Sequence, residues 1–235
     1  MEMISQEAQE TRVLTETYEE VQQRFAAIDD LAHGWEHVQR VYNLALLLAD
    51  QEKADRFIVG MAALMHDLGR TVPQSANGKE TRHHADLSIE FARELLDARQ
   101  VPAEKQRAIL HAINAHSFSR NIAPLTLEAG IVRDADRLDA LGATGILRWA
   151  ITGTMRRNAQ TRTLHPEDPF AEWHTLDDKR YMLDHFYTKL LKLDDTMTTA
   201  SGRALAQQRS AFMRAYLEQL RKELGPNIPH PETPS

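Results

Sequence analysis

The sequence predicts an all-α fold, and three observations support that prediction. Glycine and proline are scarce and clustered, with 10 Gly and 9 Pro among 235 residues, so long stretches are free to be helical. Apolar residues in those stretches recur at spacings of three and four, the repeat of an amphipathic helix. No stretch alternates apolar and polar residues as a half-buried strand does. Because there is no internal repeat and no convincing linker, we expect one helical domain over residues 1–235, with about eight to nine helices.

The predicted elements follow from their apolar stripes and from the residues at their ends. Asp55 is placed to cap the third helix, and Pro102 suits the first turn of the fifth. Stretches containing proline predict loops at residues 70–80 and 158–173. The predicted helices cover approximately residues 7–28, 35–52, 55–66, 81–99, 102–117, 125–141, 145–157, 176–193 and 198–224. We expect a core at about 20–157, a helical extension at about 174–224 and a flexible tail at 225–235.

Composition and charge exclude several classes of protein. The chain carries 28 basic and 34 acidic residues, a net charge of −6, with no long block of one sign, so no nucleic-acid-binding arm is expected. It has no cysteine, which excludes disulfides and thiolate metal sites. No apolar run approaches the ~18 residues of a membrane span, and the polar N-terminus does not resemble a secretory signal. We therefore expect a cytoplasmic protein without a membrane or nucleic-acid partner, and the oligomeric state stays open.

The third predicted helix ends in a pair of candidate metal ligands, His66 and Asp67, which offer a nitrogen and an oxygen to one cation. An aspartate is electrostatically disfavoured at a helix C-terminus, and a bound cation would remove that penalty. His37 lies on the apolar stripe of the second helix with Val41 and Leu44, so its ring should point inward. A lone histidine in such a position is more often a core residue bonded to a carbonyl, but the set of residues favours a metal ligand.

The sixth predicted helix supplies another carboxylate. Asp136 leans toward the buried stripe, and Asp134, Asp136 and Asp139 place three negative charges within two turns. Arg133 and Arg137 can neutralise part of that charge, and a metal would account for the rest, because an unpaired buried carboxylate is costly. Four nitrogen and oxygen ligands without a thiolate suit a hard-to-borderline divalent metal with positions left for water and substrate. That is the chemistry of a metal-assisted hydrolase.

Four sequence blocks carry a resemblance to a known family. HVQRVYNLA begins at His37, HDLGR at His66, HSFS at His116 and TLEAGIVRDADRLDALGATGI at Thr126. In this order they resemble the HD-domain superfamily of metal-dependent phosphohydrolases, and within it a bacterial subgroup of small stand-alone proteins linked to nucleotide pyrophosphohydrolysis. The resemblance covers roughly residues 20–215 and implies an all-helical bundle. It also implies that the metal ligands are His37, His66, Asp67 and Asp136.

The resemblance bears on specialised activities and on the number of metals. The chain lacks the adjacent Glu-Asp pair of the guanosine-tetraphosphate hydrolases and the Gly-Tyr-Pro element of the cyclic-dinucleotide phosphodiesterases, so neither subgroup fits. Some relatives bind a second metal through extra histidines, for which His84 and His116 are the candidates here and His111 a weaker one. The alternative is that these histidines donate hydrogen bonds to a phosphate. We expect Mn²⁺, Mg²⁺ or Fe²⁺, with one site favoured over two.

The expected reaction is the attack of a metal-activated water on phosphorus. Asp67 is expected to take the proton of the water, and His116 or His84 to protonate the leaving oxygen. The expected substrate is a small phosphate compound, with a nucleotide favoured. The cations within or beside the blocks are the candidates for phosphate binding: Arg70, Lys79, Arg82, Arg120 and Arg137, with Lys79 and Arg82 preferred. A di-iron oxygenase and a non-catalytic nucleotide-binding protein are the alternatives, which the metal count and turnover distinguish.

Overall fold

The structure is a computed structural model that describes residues 5–72 and 82–225. These residues form nine α-helices and no strand, and one isolated β-bridge joins Arg162 to Tyr181. The helices are α1 (Gln6–Phe25), α2 (Trp35–Glu52), α3 (Arg56–Met65), α4 (His84–Ala98), α5 (Ala103–His116), α6 (Leu127–Asp139), α7 (Gly142–Met155), α8 (Asp184–Thr188) and α9 (Ala200–Leu224). The prediction of an all-α fold is confirmed. Across the described ranges, no helix is both long enough and apolar enough to cross a membrane.

The ends of several helices agree with the predicted capping residues. Asp55 caps α3, because its Oδ1 accepts the backbone N–H groups of Phe57 at 2.9 Å and Ile58 at 3.1 Å. The helix predicted from residue 81 begins at His84. Residues 73–81, which include most of the predicted loop at 70–80, lie outside the described residues, as does the tail from residue 226.

The helices group into two compact units. The first lies within Met1–Asp139 and Thr198–Gly202, and the second within Ala140–Met197 and Arg203–Ser235. Helices α1 to α6 belong to the first unit, and α7 and α8 belong to the second, while α9 runs from one range into the other. The assignment of the whole chain to one domain stays a prediction.

In the first unit, α3 is the central helix. Its sequence, RFIVGMAALM, is apolar on every side, which is the pattern of a helix surrounded by others. Helices α1, α2, α5 and α6 pack around it, and Val59, Met61 and Leu64 have no exposed surface. The C-terminal end of α3 therefore delivers the two residues that follow it, His66 and Asp67, into the interior of the unit.

One of the three crowded carboxylates of α6 has a structural role. The buried carboxylate of Asp134 accepts the backbone N–H groups of Thr198 at 2.9 Å and Thr199 at 2.7 Å, and the Thr199 hydroxyl at 2.8 Å. Gly202 is required beside it, because a Cβ there would lie 2.5 Å from Asp134 Oδ2. These bonds satisfy Asp134 without a metal and fasten Thr198–Gly202 to α6.

The second unit contains the one clear error of the helix prediction. The helix expected over residues 176–193 is wrong, because only Asp184–Thr188 is α-helical there. Asp177 Oδ1 accepts the backbone N–H groups of Lys179 at 3.1 Å and Arg180 at 3.2 Å. A side chain that takes over local N–H groups in this way favours a turn over a helix, whatever the spacing of the apolar residues.

A histidine with a 6% exposed side chain joins two buried aspartates in the second unit. His174 Nδ1 lies 2.9 Å from Asp168 Oδ2, and its Nε2 lies 2.9 Å from Asp184 Oδ2. Asp168 also accepts the backbone N–H groups of Glu172 at 2.9 Å and Trp173 at 2.8 Å. Because carboxylates accept, the ring must donate from both nitrogens, which requires an imidazolium. Burial alone would lower the pKa of His174, but the hydrogen bonds and charges of Asp184 and Asp168 raise it above its ordinary value.

Candidate metal centre

The four predicted metal ligands meet where α2, the end of α3 and α6 converge in the first unit. His37 Nε2 lies 3.4 Å from His66 Nε2 and 3.4 Å from Asp136 Oδ1. Asp67 Oδ2 lies 3.7 Å from His66 Nε2 and 3.9 Å from His37 Nε2. His37, His66 and Asp67 are buried, whereas 28% of the Asp136 side chain is exposed. The structure thus brings together all four residues and leaves the group open on the Asp136 side.

Hydrogen bonds determine which ring nitrogen of each histidine carries the proton. His66 Nδ1 donates to the carbonyl oxygen of Ala63 at 2.7 Å, and His37 Nδ1 donates to Asp139 Oδ2 at 2.7 Å. A neutral imidazole has a single N–H, so Nε2 of the neutral His66 ring carries a lone pair. His37 Nε2 lies 3.4 Å from that nitrogen. Two ligands of one ion lie roughly 3.0–3.4 Å apart when each is about 2.1 Å from it, so the pair fits a shared cation.

Asp139 orients His37, and it was not among the predicted site residues. Arg40 grips the same carboxylate in a bidentate manner, with Nε 2.8 Å from Oδ1 and Nη2 3.1 Å from Oδ2. A carboxylate behind a ligating histidine fixes its tautomer and raises its basicity. The sequence does contain a signal, because Asp139 follows Asp136 by three residues and Arg40 follows His37 by three, which places each pair on one helix face.

Asp67 also faces a second group of candidate ligands. Its Oδ1 lies 3.5 Å from His84 Nε2 and 3.8 Å from His116 Nε2. His116 Nδ1 donates to the Ile113 carbonyl at 2.6 Å, so His116 Nε2 also carries a lone pair. Asp67 Oδ1 is buried, and the described residues offer it no hydrogen-bond donor. Such an oxygen is costly unless a cation meets it, so both triads, His37–His66–Asp67 and Asp67–His84–His116, have the composition and spacing of metal sites.

The pKa shifts place these groups in the protonation states of metal ligands. Burial lowers the pKa of His66 to about 4, and burial with the nearby Arg70 lowers that of His84 to about 4. Burial would raise the pKa of Asp67, but His66, which is charged at acid pH, and Arg70 outweigh it and hold that pKa well below its usual value. At neutral pH the two imidazoles are therefore neutral and the carboxylate is ionised, as coordination requires.

His83, next to the second group, has a structural role. Its Nδ1 accepts the backbone N–H of Ala85 at 3.2 Å and caps α4, while its Nε2 lies 2.9 Å from the Ser119 hydroxyl. Since Nδ1 accepts, Nε2 carries the proton and donates to Ser119. Both nitrogens are engaged, so His84 is the residue of this pair that faces Asp67.

Two of the predicted phosphate-binding arginines are paired with carboxylates of α4. Arg82 Nη1 donates to Glu90 Oε2 at 3.1 Å, and Arg120 Nη1 donates to Asp86 Oδ1 at 2.5 Å. Arg120 also contributes to lowering the pKa of His83, which places its charge near the start of α4. The role of these two arginines in binding a phosphate stays a prediction.

The remaining predicted cations differ in their surroundings. Burial, with the nearby Arg133, lowers the pKa of Arg137 to about 10. Lys79 lies outside the described residues. Arg70, in the single 3-10 turn after Asp67, donates from Nε to Asp67 Oδ2 at 2.6 Å. Arg70 is therefore in direct contact with a predicted ligand.

Comparison with known proteins agrees with this geometry. The HD domain family matches residues 34–141, a range that includes all the candidate ligands. The Bacillus subtilis protein YpgQ is 35% identical over 197 residues, which are 82% of this chain and 84% of YpgQ. This chain belongs to the HD-domain superfamily. The resemblance drawn from the four sequence blocks is thereby confirmed.

Solved HD-domain structures extend the similarity beyond the matched family range. The structure of B. subtilis YpgQ in complex with ADP has a TM-score of 0.70 and 30% identity, and the match covers 93% of this chain and 98% of that one. An HD-superfamily hydrolase from Bacillus thuringiensis has a TM-score of 0.68 and 29% identity, covering 93% and 100% of the two chains. The HD chain described here therefore shares its fold with these proteins over most of its length.

Proposed function

We propose that this HD protein is a metal-dependent phosphohydrolase that acts on a nucleotide. One observation carries the proposal: a single buried carboxylate, Asp67, turns its two oxygens toward the Nε2 atoms of two groups of histidines. No hydrogen-bonding arrangement within the described residues satisfies Asp67 Oδ1. Divalent cations would satisfy it, and nitrogen and oxygen ligands of this kind suit Mn²⁺, Fe²⁺ or Mg²⁺.

The residues present fit one cation at His37, His66, Asp67 and Asp136, and a second at Asp67, His84 and His116. A bound divalent metal would lower the pKa of a coordinated water and polarise a phosphoryl oxygen. The predicted role of His84 or His116 as proton donor to the leaving oxygen suits the geometry less well, because a neutral His116 ring carries its proton on Nδ1 and the Nε2 atoms of both rings face Asp67. We therefore assign these two histidines to holding the second cation, and Asp67 to both groups.

A nucleotide is the proposed substrate class. YpgQ, which shares 35% of its residues with this chain over 197 positions, was crystallised with ADP. A diphosphate needs several positive groups. Two metal cations and Arg70 beside Asp67 would supply some of them, and Arg82 and Arg120, which pair with carboxylates of α4, would supply the others. Lys79 and Arg137 complete the proposed set of phosphate-binding residues. A cytoplasmic setting belongs to the same proposal.

The second ligand group also suits a different chemistry. A pair of iron ions held by histidines and a bridging carboxylate can activate oxygen, so a di-iron oxygenase is the second candidate. Neutral imidazoles at His66 and His84 would serve either reaction. Metal identity separates the two: the phosphohydrolase works with redox-inactive Mg²⁺ or with Mn²⁺ without oxygen, and the oxygenase requires iron and consumes O₂.

The experiment combines metal analysis with a substrate screen. Purified protein is analysed for metal identity and stoichiometry, then incubated anaerobically with Mn²⁺ or Mg²⁺ and nucleoside tri-, di- and monophosphates or an aryl phosphate. We expect release of phosphate or pyrophosphate from at least one nucleotide, with Asp67→Asn inactive and the exposed Asp86→Asn retaining metal. No release from any compound by protein that has bound metal would refute the hydrolase.

A further inference from the structure

Arg70 occupies an unusual position, because it binds the carboxylate oxygen that a cation would need. Its Nε lies 2.6 Å from Asp67 Oδ2, the oxygen that faces His37 Nε2 and His66 Nε2. Asp67 Oδ1, by contrast, has no donor among the described residues. The guanidinium thus neutralises one side of a buried carboxylate and leaves the other unsatisfied.

A second arginine–aspartate pair in the same unit shows what a purely supporting arginine does. Arg40 binds Asp139 through two hydrogen bonds, and Asp139 acts on the centre only through His37. Coordination of a metal by His37 leaves the Arg40–Asp139 pair intact. Arg70 instead donates a single bond, from one nitrogen, to a residue that is itself a candidate ligand.

The surroundings of Arg70 allow it to exchange partners. Its side chain is 31% exposed, whereas that of Asp67 is 4% exposed, so the guanidinium reaches the carboxylate from the solvent side. Its charge lowers the pKa of His33 and His84 as well, so it lies on the side of the centre where these rings are found. A cation approaching Asp67 Oδ2 would meet the like charge of Arg70 at close range.

We propose that Arg70 competes with the metal for Asp67: it holds the carboxylate in the metal-free protein, and metal binding displaces it and frees it for a phosphate oxyanion. This inference rests on the metal centre of the proposed function. It couples the two ligands, because the metal ion that takes Asp67 Oδ2 releases the Arg70 guanidinium, which is able to bind an anion in a bidentate manner. The order of binding that results is metal first and phosphate compound second.

The first test measures metal affinity, which does not depend on turnover. Mn²⁺ is titrated calorimetrically into metal-free wild type, Arg70→Met and Arg24→Met. Arg24 is a matched control, because it pairs with Glu20 four residues away, is 33% exposed and belongs to α1 rather than to the centre. We expect Arg70→Met to bind Mn²⁺ about five- to tenfold more tightly than wild type, since no ion pair has to be broken, and Arg24→Met to match wild type.

Thermal unfolding independently tests the replacement of Arg70 by a metal ion at Asp67. Without metal, Arg70→Met should melt below wild type, because Asp67 loses the guanidinium that binds its Oδ2. Saturating Mn²⁺ should then raise its melting temperature by more than that of wild type. If Arg70→Met does not fold, Arg70→Gln replaces it, since glutamine keeps a neutral donor, and the same direction is expected.

The second half of the proposal is tested with ADP and inorganic phosphate as probes. Titrated into Mn²⁺-loaded protein, each should bind Arg70→Met about tenfold more weakly than wild type. Unchanged Mn²⁺ affinity in Arg70→Met would overturn the competition, and unchanged ADP and phosphate affinity would overturn the release to an anion. Failure of the proposed function differs from both, because wild type itself would then bind no metal or hydrolyse no nucleotide.

Discussion

The two units of this protein each contain a buried cluster of histidine and aspartate, and the two clusters have opposite chemistry. In the first unit, His37 and His66 each donate from Nδ1, and the neutral His66 ring presents an unprotonated Nε2 to its neighbours. In the second unit, His174 lies between Asp168 and Asp184 and must donate from both nitrogens. The residue types are the same, but the first cluster offers lone pairs and the second offers none.

The hydrogen-bond partner of the distal ring nitrogen accounts for the difference. A carbonyl oxygen at 2.7 Å from His66 Nδ1 takes the only proton of a neutral ring and leaves Nε2 able to bind a metal. Two carboxylates around His174 stabilise the imidazolium instead, so that ring cannot coordinate. Burial and composition alone therefore do not identify a metal ligand; the pattern of donors and acceptors does.

The largest effect is expected from removing a lone pair in the first cluster. His66→Gln should lower Mn²⁺ affinity by at least about a hundredfold, because an amide is a poorer ligand than an imidazole and coordination loses its fixed geometry. The measurement is calorimetric titration of metal-free protein, with circular dichroism to verify helicity. Near-normal Mn²⁺ affinity in this variant would place the centre elsewhere.

The reciprocal change in the second cluster should affect stability and not metal binding. His174→Gln leaves Asp168 and Asp184 buried with a neutral partner whose two N–H donors belong to one nitrogen. We expect a loss of about 3 kcal/mol in the free energy of unfolding, since breaking a buried ion pair exposes the remaining charge to an apolar environment. Urea unfolding measures this loss, and Mn²⁺ titration should match wild type. A large loss of metal affinity would show that the second cluster is not merely structural.

The carboxylates of α6 give a finer comparison within the first unit. Asp139→Asn should weaken Mn²⁺ binding about tenfold, because the His37 tautomer loses its charged acceptor. Asp134→Asn is the matched control: it is also buried on α6, but it bonds Thr198 and Thr199, so it should lower the free energy of unfolding and spare Mn²⁺ affinity. Equal effects of both variants on affinity would contradict the division of roles.

Much of the fold and the ligand set could be predicted from the sequence, because both rest on local patterns. Apolar spacing located α1 to α6 to within a few residues, and the capping role of Asp55 follows from its place before an apolar run. The helix expected over residues 176–193 failed because Asp177 captures backbone N–H groups, which hydrophobic spacing does not register.

The residues that orient the candidate ligands were harder to predict than the ligands themselves. Asp139 lies 102 residues from His37 along the chain, and which of three neighbouring carboxylates meets that ring depends on the rotation of α6 against α2. The sequence showed the crowding of Asp134, Asp136 and Asp139 but not their separate roles. Asp134 binds the backbone of Thr198, Asp136 faces His37 Nε2, and Asp139 accepts a hydrogen bond from His37 Nδ1. The position of Asp67 between two ligand groups likewise depends on how α4 and α5 pack beside the end of α3.

The pH dependence of stability provides the smallest and most diagnostic contrast, because the two clusters should respond with opposite sign. The pKa of His66 falls to about 4 on folding from an ordinary 6.5, so the unfolded chain binds more protons between these values and acid destabilises the metal-free protein. The pKa of His174 is raised on folding, so its contribution is complete below 6.5 and is lost as pH rises through the folded value. Lowering the pH from 6.5 to 5.5 should cost about 1 kcal/mol through His66, which is less than the roughly 1.4 kcal/mol of a full pKa unit because the unfolded histidine is only half protonated at pH 6.5.

Urea unfolding of metal-free wild type, His66→Gln and His174→Gln across this range separates the two contributions. His66→Gln should lose part of the acid sensitivity, whereas the gap between wild type and His174→Gln should narrow as pH rises above 6.5. A gap that widens toward alkaline pH would mean that His174 is neutral in the folded protein, and its cluster would then resemble the first one. The sign of that change thus decides whether the two histidine clusters are chemically different.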